Sequence, residues 1–120
     1  NLDGFQFGDM INSQLSQPFM MIYSELFKDA NDFVLKRMNN IRYAITIKGS
    51  SHINYSDNPC ILPITRLLGI AGSIDPFRMN QITNHYLLAF FNKHLKNIEQ
   101  PLLNSENIYN EIIITKYNKN

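Results

Sequence analysis

The chain has 120 residues, enough for one small domain with a limited core, and its 44% hydrophobic content is ordinary for a globular protein. The net charge of +1 provides no basic field that would attract nucleic acid, and no apolar run approaches the length of a membrane span. The single cysteine, Cys60, excludes an internal disulfide framework. The chain opens without an initiator methionine or an apolar leader, so an extracellular and a cytoplasmic location both remain open.

The first half of the chain predicts two strands with a helix between them. Residues 19–23 form a short continuous apolar run that is typical of a buried strand of a parallel sheet. Residues 28–40 carry apolar side chains at helical spacing, with Asp29 or Asn31 as the N-terminal cap. Residues 41–47 are β-branched and aromatic, which favours a second strand. Strand, helix and strand with short connections predict a βαβ unit in which the two strands are parallel neighbours.

The second half begins with His52 in a turn of small polar residues and is mainly helical. Residues 60–68 predict a short apolar helix with Pro63 in its first turn. Residues 76–97 predict the longest helix, whose apolar arc is expected to lie against a face of the sheet. That arc consists of Tyr86, Leu87, Leu88, Phe90, Phe91 and Leu95. Residues 112–115 form either one more strand or an apolar tail.

These elements indicate an α/β protein that does not close its own core. Two parallel strands and one long apolar helix leave a sheet whose faces and edges need further cover. We therefore expect residues 1–120 to be the C-terminal portion of a larger α/β domain, with no internal domain boundary. The alternative is a complete small α+β domain, which would leave its strand edges uncovered.

His52 is the candidate for chemistry because it follows a predicted strand at the carboxyl edge of a parallel sheet, where open α/β sheets bind ligands. Gly49, Ser50 and Ser51 supply the small residues of a tight turn. An imidazole in that position suits general acid and base catalysis. The alternative interpretation is an ordinary loop histidine that bonds a nearby carbonyl.

Three blocks of sequence, in this order, resemble the C-terminal region of the plasma and type II platelet-activating factor acetylhydrolases. They are Leu2-Asp3, the proline-led strand that ends in Ser24-Glu25, and the "IKGSSHINYSD" block around His52. The helix that contains "LLAFFNKHL" also resembles the last helix of that family, so the likeness extends to about residue 95. These enzymes are serine esterases of the α/β-hydrolase fold.

The resemblance implies that His52 is the base and Asp3 the acid of a catalytic triad. Asp3 precedes His52, which agrees with the order serine, acid, histidine in α/β-hydrolases. Glu25 and Asp29 are alternative acids because they follow the first predicted strand, and spacing alone does not separate them from Asp3. Asp57 is interpreted as a turn or helix cap before Pro59.

The serine nucleophile is the missing part, since no Gly-x-Ser-x-Gly occurs in the chain. We expect the remaining N-terminal part of the hydrolase domain to supply it, and we expect no esterase activity from these residues alone. The implied substrates are phospholipids with short or oxidised sn-2 acyl chains, cleaved without a metal or other cofactor. The alternatives are a general short-chain esterase similar to dienelactone hydrolase and a non-catalytic interaction module.

Further residues allow more than one interpretation. Leu67 and Leu68 belong to an apolar stretch that either packs in the core or contacts a membrane or lipoprotein surface. His85 and His94 are nine residues apart, on opposite sides of one helix, so they are not predicted to share a metal; His94 is interpreted as a structural histidine. Asn54 begins a glycosylation sequon, which we set aside because a glycan there would block His52.

Overall fold

The computed structural model of the chain describes residues 1–6, 8–12, 15–104 and 108–118. Its described strands are β1 (Phe19–Ser24), β2 (Arg42–Ile47) and β3 (Ile112–Tyr117), which form one sheet in the order β1-β2-β3. β1 and β2 are parallel along their whole length, as the βαβ pattern predicts. β3 is a strand and not a tail, and it runs antiparallel to β2. The sheet is therefore mixed, which corrects the expectation of parallel strands alone.

A short stretch at the start of the chain extends the sheet beyond β1. Leu2 forms a parallel bridge with Ile22. The backbone N–H of Asp3 donates to the carbonyl of Ile22 at 2.7 Å, and the N–H of Ile22 donates to the carbonyl of Asn1 at 2.9 Å. This stretch, β1 and β2 are parallel, so Asp3, Ser24 and the residues after β2 all lie at the same edge of the sheet.

Both faces of the sheet are covered, and the strands alternate between two clusters of buried side chains. Helix α1 (Asp32–Arg37) lies on one face and helix α4 (Pro76–Lys96) on the other. The cluster beneath α1 contains Met21, Tyr23, Val34, Leu35, Met38 and Ala44. The larger cluster beneath α4 includes Met20, Ile22, Tyr43, Ile45, Ile47, Met79, Ile82 and Tyr86. Because both faces of the sheet are buried, the sequences of the strands are continuous apolar runs.

Helix α1 is shorter than the predicted 28–40. Residues 26–30 form turns instead, and Asp29 adopts a left-handed conformation with φ of 63°, which is incompatible with a helix interior. Asn31 occupies the N-cap position without making a side-chain capping bond. Its side chain instead accepts from the N–H of Gln6 and donates to the carbonyl of Gly4, each at 3.0 Å. Asn31 therefore ties the segment after Asp3 to the sheet.

The single helix predicted over residues 60–68 is two short helices, α2 (Asn58–Ile61) and α3 (Ile64–Leu67). Proline disfavours helical conformation in the preceding residue, and Leu62 accordingly leaves the helix with φ of −121° and ψ of 80°. The apolar side chains of this region lie at the surface, each at least half exposed: Ile61, Leu62, Ile64, Leu67, Leu68 and Ile70. They do not form part of the core of the described residues.

Helix α4 has the predicted extent. The Asp75 carboxylate accepts from the N–H of Arg78 at 2.8 Å at its start, and Asn97 ends it in a left-handed conformation. Its buried face is displaced from the predicted arc and consists of Met79, Ile82, Thr83, Tyr86 and Ala89. Leu88, Phe91 and Leu95 of the predicted arc are at least half exposed. The helix is apolar around more of its circumference than the sheet covers.

In the described part of the chain, no helix is both long and apolar enough to cross a membrane.

Candidate active site

Asp3 lies at the carboxyl edge of the sheet, where the first parallel stretch ends. It has a positive φ of 51°, a conformation that aspartate tolerates better than most residues, and its side chain is fully buried. Carboxylate Oδ1 accepts from the backbone N–H of Ser24, at the end of β1, at 2.6 Å. The other oxygen, Oδ2, lies 3.0 Å from Nδ1 of His52. The strand end and the carboxylate thus hold each other in a defined orientation.

His52 begins a 3₁₀ turn (His52–Tyr55) that follows β2. Its side chain is 65% exposed, although Nδ1 is held by Asp3. The edge of its ring meets Phe27 at a centroid distance of 6.1 Å. An open cleft of about 440 Å³ lies beside it, lined by Leu2, His52, Ile53, Tyr55, Ser56 and Asn58. The exposed ring can therefore be reached by a group from outside these residues.

The geometry suits proton transfer at the second ring nitrogen. A carboxylate that accepts the Nδ1 hydrogen places the lone pair of a neutral imidazole on Nε2 and stabilises the cation that forms when Nε2 takes a proton. Among the described residues, Nε2 of His52 has no hydrogen-bond partner. The pair thus consists of a buried carboxylate and an exposed imidazole in contact.

The structure does not bring the two alternative acids to the histidine. Glu25 is exposed, and its Oε2 accepts from the backbone N–H of Gly49 at 2.7 Å. Asp29 lies in the turn before α1, where its carbonyl accepts from the N–H of Asp32. In the part of the chain that the structure describes, only Asp3 of these three carboxylates contacts His52.

The turn that carries His52 is held by the small residues predicted for it and by Asn54 and Gly72, which the sequence did not point to. Gly49 adopts a positive φ of 72°, and the hydroxyl of Ser50 donates to the carbonyl of Ile47 at 2.7 Å. Asn54 is 4% exposed, and its Oδ1 accepts from the N–H of Ser51 at 2.8 Å and from the N–H of Gly72 at 2.9 Å. The burial of Asn54 also argues against the sequon as a glycan acceptor in the folded chain. No pattern in the sequence pairs Asn54 with Gly72.

Tyr55 lines the cleft beside His52. Burial of its side chain raises its pKa above the ordinary value of 10, and the charge of Asp3 raises it further. Its hydroxyl is buried without a hydrogen-bond partner among the described residues. Tyr55 therefore buries an unpaired hydroxyl within range of the Asp3 charge.

The other two histidines belong to separate environments. His94 lies 3.2 Å from the Tyr43 hydroxyl through Nε2 and packs against Phe90 at a centroid distance of 4.8 Å. Burial lowers its pKa below 6.5, and Lys93 and Lys116 act in the same direction. His85 bonds through Nδ1 to the hydroxyl of Tyr109. Within the described ranges, no three or more histidine, cysteine or acidic side chains are grouped so that they could hold a metal.

The sheet and its two helical layers define an α/β unit with a histidine–carboxylate pair at the carboxyl edge. Comparison with models of known protein families then shows the family to which the chain belongs. The model of the family described as platelet-activating factor acetylhydrolase, isoform II, matches residues 3–110, and the chain belongs to that family.

Relatives of the chain agree with this assignment. The platelet-activating factor acetylhydrolase of Gallus gallus is 36% identical over 93 residues, which are 72% of this chain and 22% of the relative. The proteins of the same name from Cavia porcellus and Bos taurus are 33% identical over 107 residues and 31% over 104, covering 80% and 78% of this chain. The chain spans 22 to 24% of the length of these relatives.

Proposed function

We propose that the protein to which this chain belongs is a serine esterase in which His52 is the general base and Asp3 its orienting acid. The proposal rests on the contact of 3.0 Å between Asp3 Oδ2 and His52 Nδ1. The N–H of Ser24 holds the other carboxylate oxygen, so the acid is fixed in place before any substrate binds. Another part of the protein supplies the serine, because no Gly-x-Ser-x-Gly occurs in these residues.

The reaction has two halves, formation of an acyl-enzyme and its hydrolysis. Nε2 of His52 takes the proton from the serine hydroxyl as its oxygen attacks the ester carbonyl, and the imidazolium then protonates the departing alkoxide as the ester C–O bond breaks. In the second half, Nε2 deprotonates a water that attacks the acyl-enzyme, and the proton returns to the serine as the acid is released. Asp3 stabilises the imidazolium in both halves and remains ionised throughout.

The proposed substrates are phospholipids with a short or oxidised acyl chain at the sn-2 position. The names of the relatives support this class, since each is called a platelet-activating factor acetylhydrolase. A water-soluble short-chain ester is the alternative substrate. It differs from the phospholipid in lacking a headgroup and an anchoring chain.

Leu67 and Leu68 are proposed to contact the membrane or lipoprotein surface that carries such a substrate. Their exposed fractions are 86% and 63%, and Leu67 has the largest value among the exposed apolar residues described. Soluble proteins rarely expose a contiguous apolar patch of this kind without a partner. The patch is joined to the site because the hydroxyl of Ser51, next to His52, donates to the carbonyl of Ile70 at 3.1 Å. Lipid contact would thus bring the substrate close to His52.

The test is hydrolysis by the full-length protein of an sn-2 acetyl phospholipid and of p-nitrophenyl acetate. We expect turnover of the phospholipid, and we expect His52→Gln to lower kcat by about 10⁴-fold or more. His85→Gln, which replaces an exposed histidine on α4, is the matched control and should retain activity. Turnover of the soluble ester alone would favour the short-chain esterase. Absence of turnover of both esters would favour the non-catalytic module and overturn the proposal.

A further inference from the structure

Asn54 forms a junction between two segments of backbone. The turn that carries His52 lies on one side, and residues 69–74, which lead into α4, lie on the other. Its Oδ1 accepts from the N–H of Ser51 at 2.8 Å and from the N–H of Gly72 at 2.9 Å, and the hydroxyl of Ser51 lies 3.1 Å away. Two backbone donors converge on the same atom, so that atom has to be the amide oxygen and not the nitrogen.

The segment behind Asn54 is in close contact with the histidine turn. The N–H of Ile74 donates to the carbonyl of Gly49 at 3.0 Å. A Cβ on Gly72 would lie 2.1 Å from the same carbonyl oxygen and 2.8 Å from the backbone of Ser50. Residue 72 therefore has to be glycine for the two segments to approach this closely. The close approach places the Gly72 N–H within reach of Asn54.

The amide group of Asn54 is not fully satisfied. Its Nδ2 is buried and has no hydrogen-bond partner among the described residues. An unpaired buried donor is unfavourable for folding. Both backbone hydrogen bonds of the junction are made to the oxygen, so the contribution of Asn54 depends on that atom and not on the nitrogen.

We infer that Asn54 is a positioning residue, whose oxygen fixes the backbone next to His52 and thereby keeps Nδ1 against Asp3. The inference rests on the proposed function, because it assigns Asn54 to the same reaction. Ser51 is adjacent to His52, so a displaced Ser51 N–H shifts the point at which the imidazole leaves the backbone. A shift of about 1 Å in a catalytic group costs about 10²-fold in rate.

The test compares three variants of the full-length protein. Asn54→Ala removes the acceptor, whereas Asn54→Asp retains an oxygen in the same place. Val34→Ala is the control for lost stability, since Val34 is buried in the cluster on the opposite face of the sheet. For each variant, kcat and KM are measured with p-nitrophenyl acetate, the melting temperature is recorded, and amide hydrogen exchange is followed at Ser51 and Gly72.

We expect Asn54→Ala to lower kcat by about 10²-fold with KM changed by less than about threefold, and to speed exchange at Ser51 and Gly72. Asn54→Asp should retain kcat to within about tenfold of the native protein and keep both amides protected. Val34→Ala should lower the melting temperature and leave kcat within about twofold. If Asn54→Ala does not fold, Asn54→Asp still tests the inference, because it has to keep kcat within about tenfold and both amides protected.

Two results would overturn the inference. One is an Asn54→Ala variant that is as active as Val34→Ala, and the other is a folded Asn54→Asp variant whose kcat falls by the full 10² or so. Failure of the proposed function has a different signature, because the native protein would then lack turnover that depends on His52. The exchange rates at Ser51 and Gly72 still report on the junction in that case.

Discussion

Replacement of Asp3 by asparagine changes the chemistry of the pair with little change in its shape. The substituted side chain would keep an oxygen for the Ser24 N–H, which now lies 2.6 Å from Asp3 Oδ1, and would present its NH₂ group to His52 Nδ1. Nδ1 would then have to accept, which moves the imidazole hydrogen to Nε2, the nitrogen that must take the serine proton. The site would hold the wrong tautomer and would lose the charge that stabilises the imidazolium.

The expected loss in kcat is about 10⁴-fold, which corresponds to about 5.4 kcal/mol of transition-state stabilisation. The cost to stability is far smaller, about 1–3 kcal/mol for one charge-assisted bond replaced by a neutral one, so the variant should fold. The assay is hydrolysis of p-nitrophenyl acetate by the full-length protein, with unfolding in urea as the check on the fold.

Glu25→Gln and Asp29→Asn are the matched controls, since each replaces a carboxylate near the same sheet edge that does not contact His52. Glu25 bonds the N–H of Gly49, so a modest loss of about two- to fivefold is expected from a loosened turn. The assignment of the acid would be refuted if Asp3→Asn kept kcat within about tenfold of the native value, or if Glu25→Gln lost as much as Asp3→Asn.

Three further predictions concern stability and the apolar surface. Burial lowers the pKa of His94 below 6.5, so the unfolded chain binds the proton first; stability should fall as the pH drops from 6.5 toward the folded pKa, and urea unfolding of His94→Gln should show less of that loss. Asp75→Ala should lower the free energy of unfolding by about 1 kcal/mol, because the cap of α4 is lost; an unchanged urea midpoint would contradict this. Leu67→Asp and Leu68→Asp should change stability by less than about 0.5 kcal/mol and should slow hydrolysis of phospholipid in vesicles but not of soluble ester. Unfolding of either variant would instead place these leucines in a packed interface.

The strands and the long helix could be predicted because their patterns are local. A continuous apolar run marks β1, a β-branched run marks β2, and Asp75-Pro76 marks the start of α4. The direction of β3 has no local signature, since a short isoleucine run pairs equally well either way. Pro63 does lie at the start of a helix, but its effect on the preceding residue divides the predicted helix into two.

The buried face of α4 could be predicted only in part for a similar reason. Phe91 and Leu95 are as apolar as Met79 and Ile82, and hydropathy does not tell which of them the sheet covers. The choice depends on how the helix is rotated against β1 and β2, which is a tertiary property. The same limit applies to the apolar stretch with Leu67 and Leu68, for which the sequence allows both core packing and lipid contact.

The residues of the candidate site could likewise be predicted only in part. His52 could be found from its place after a strand, but Asp3, Glu25 and Asp29 all follow strands that end at one edge, so position alone did not separate them. The contact is decided by the left-handed turn at Asp3, which directs the carboxylate toward Ser24 and His52. The Asn54–Gly72 contact depends on a close approach of two backbones, for which the sequence has no pattern.

If His52 activates a serine that lies outside these residues, that serine should react with a fluorophosphonate. The experiment treats the full-length protein with this reagent and locates the label by mass spectrometry. We expect one label per molecule, on a serine in a Gly-x-Ser-x-Gly context outside residues 1–120, with labelling slowed by at least about 10³-fold in His52→Gln. Labelling at the native rate in His52→Gln, labelling within residues 1–120, or no labelling of the native protein would contradict it.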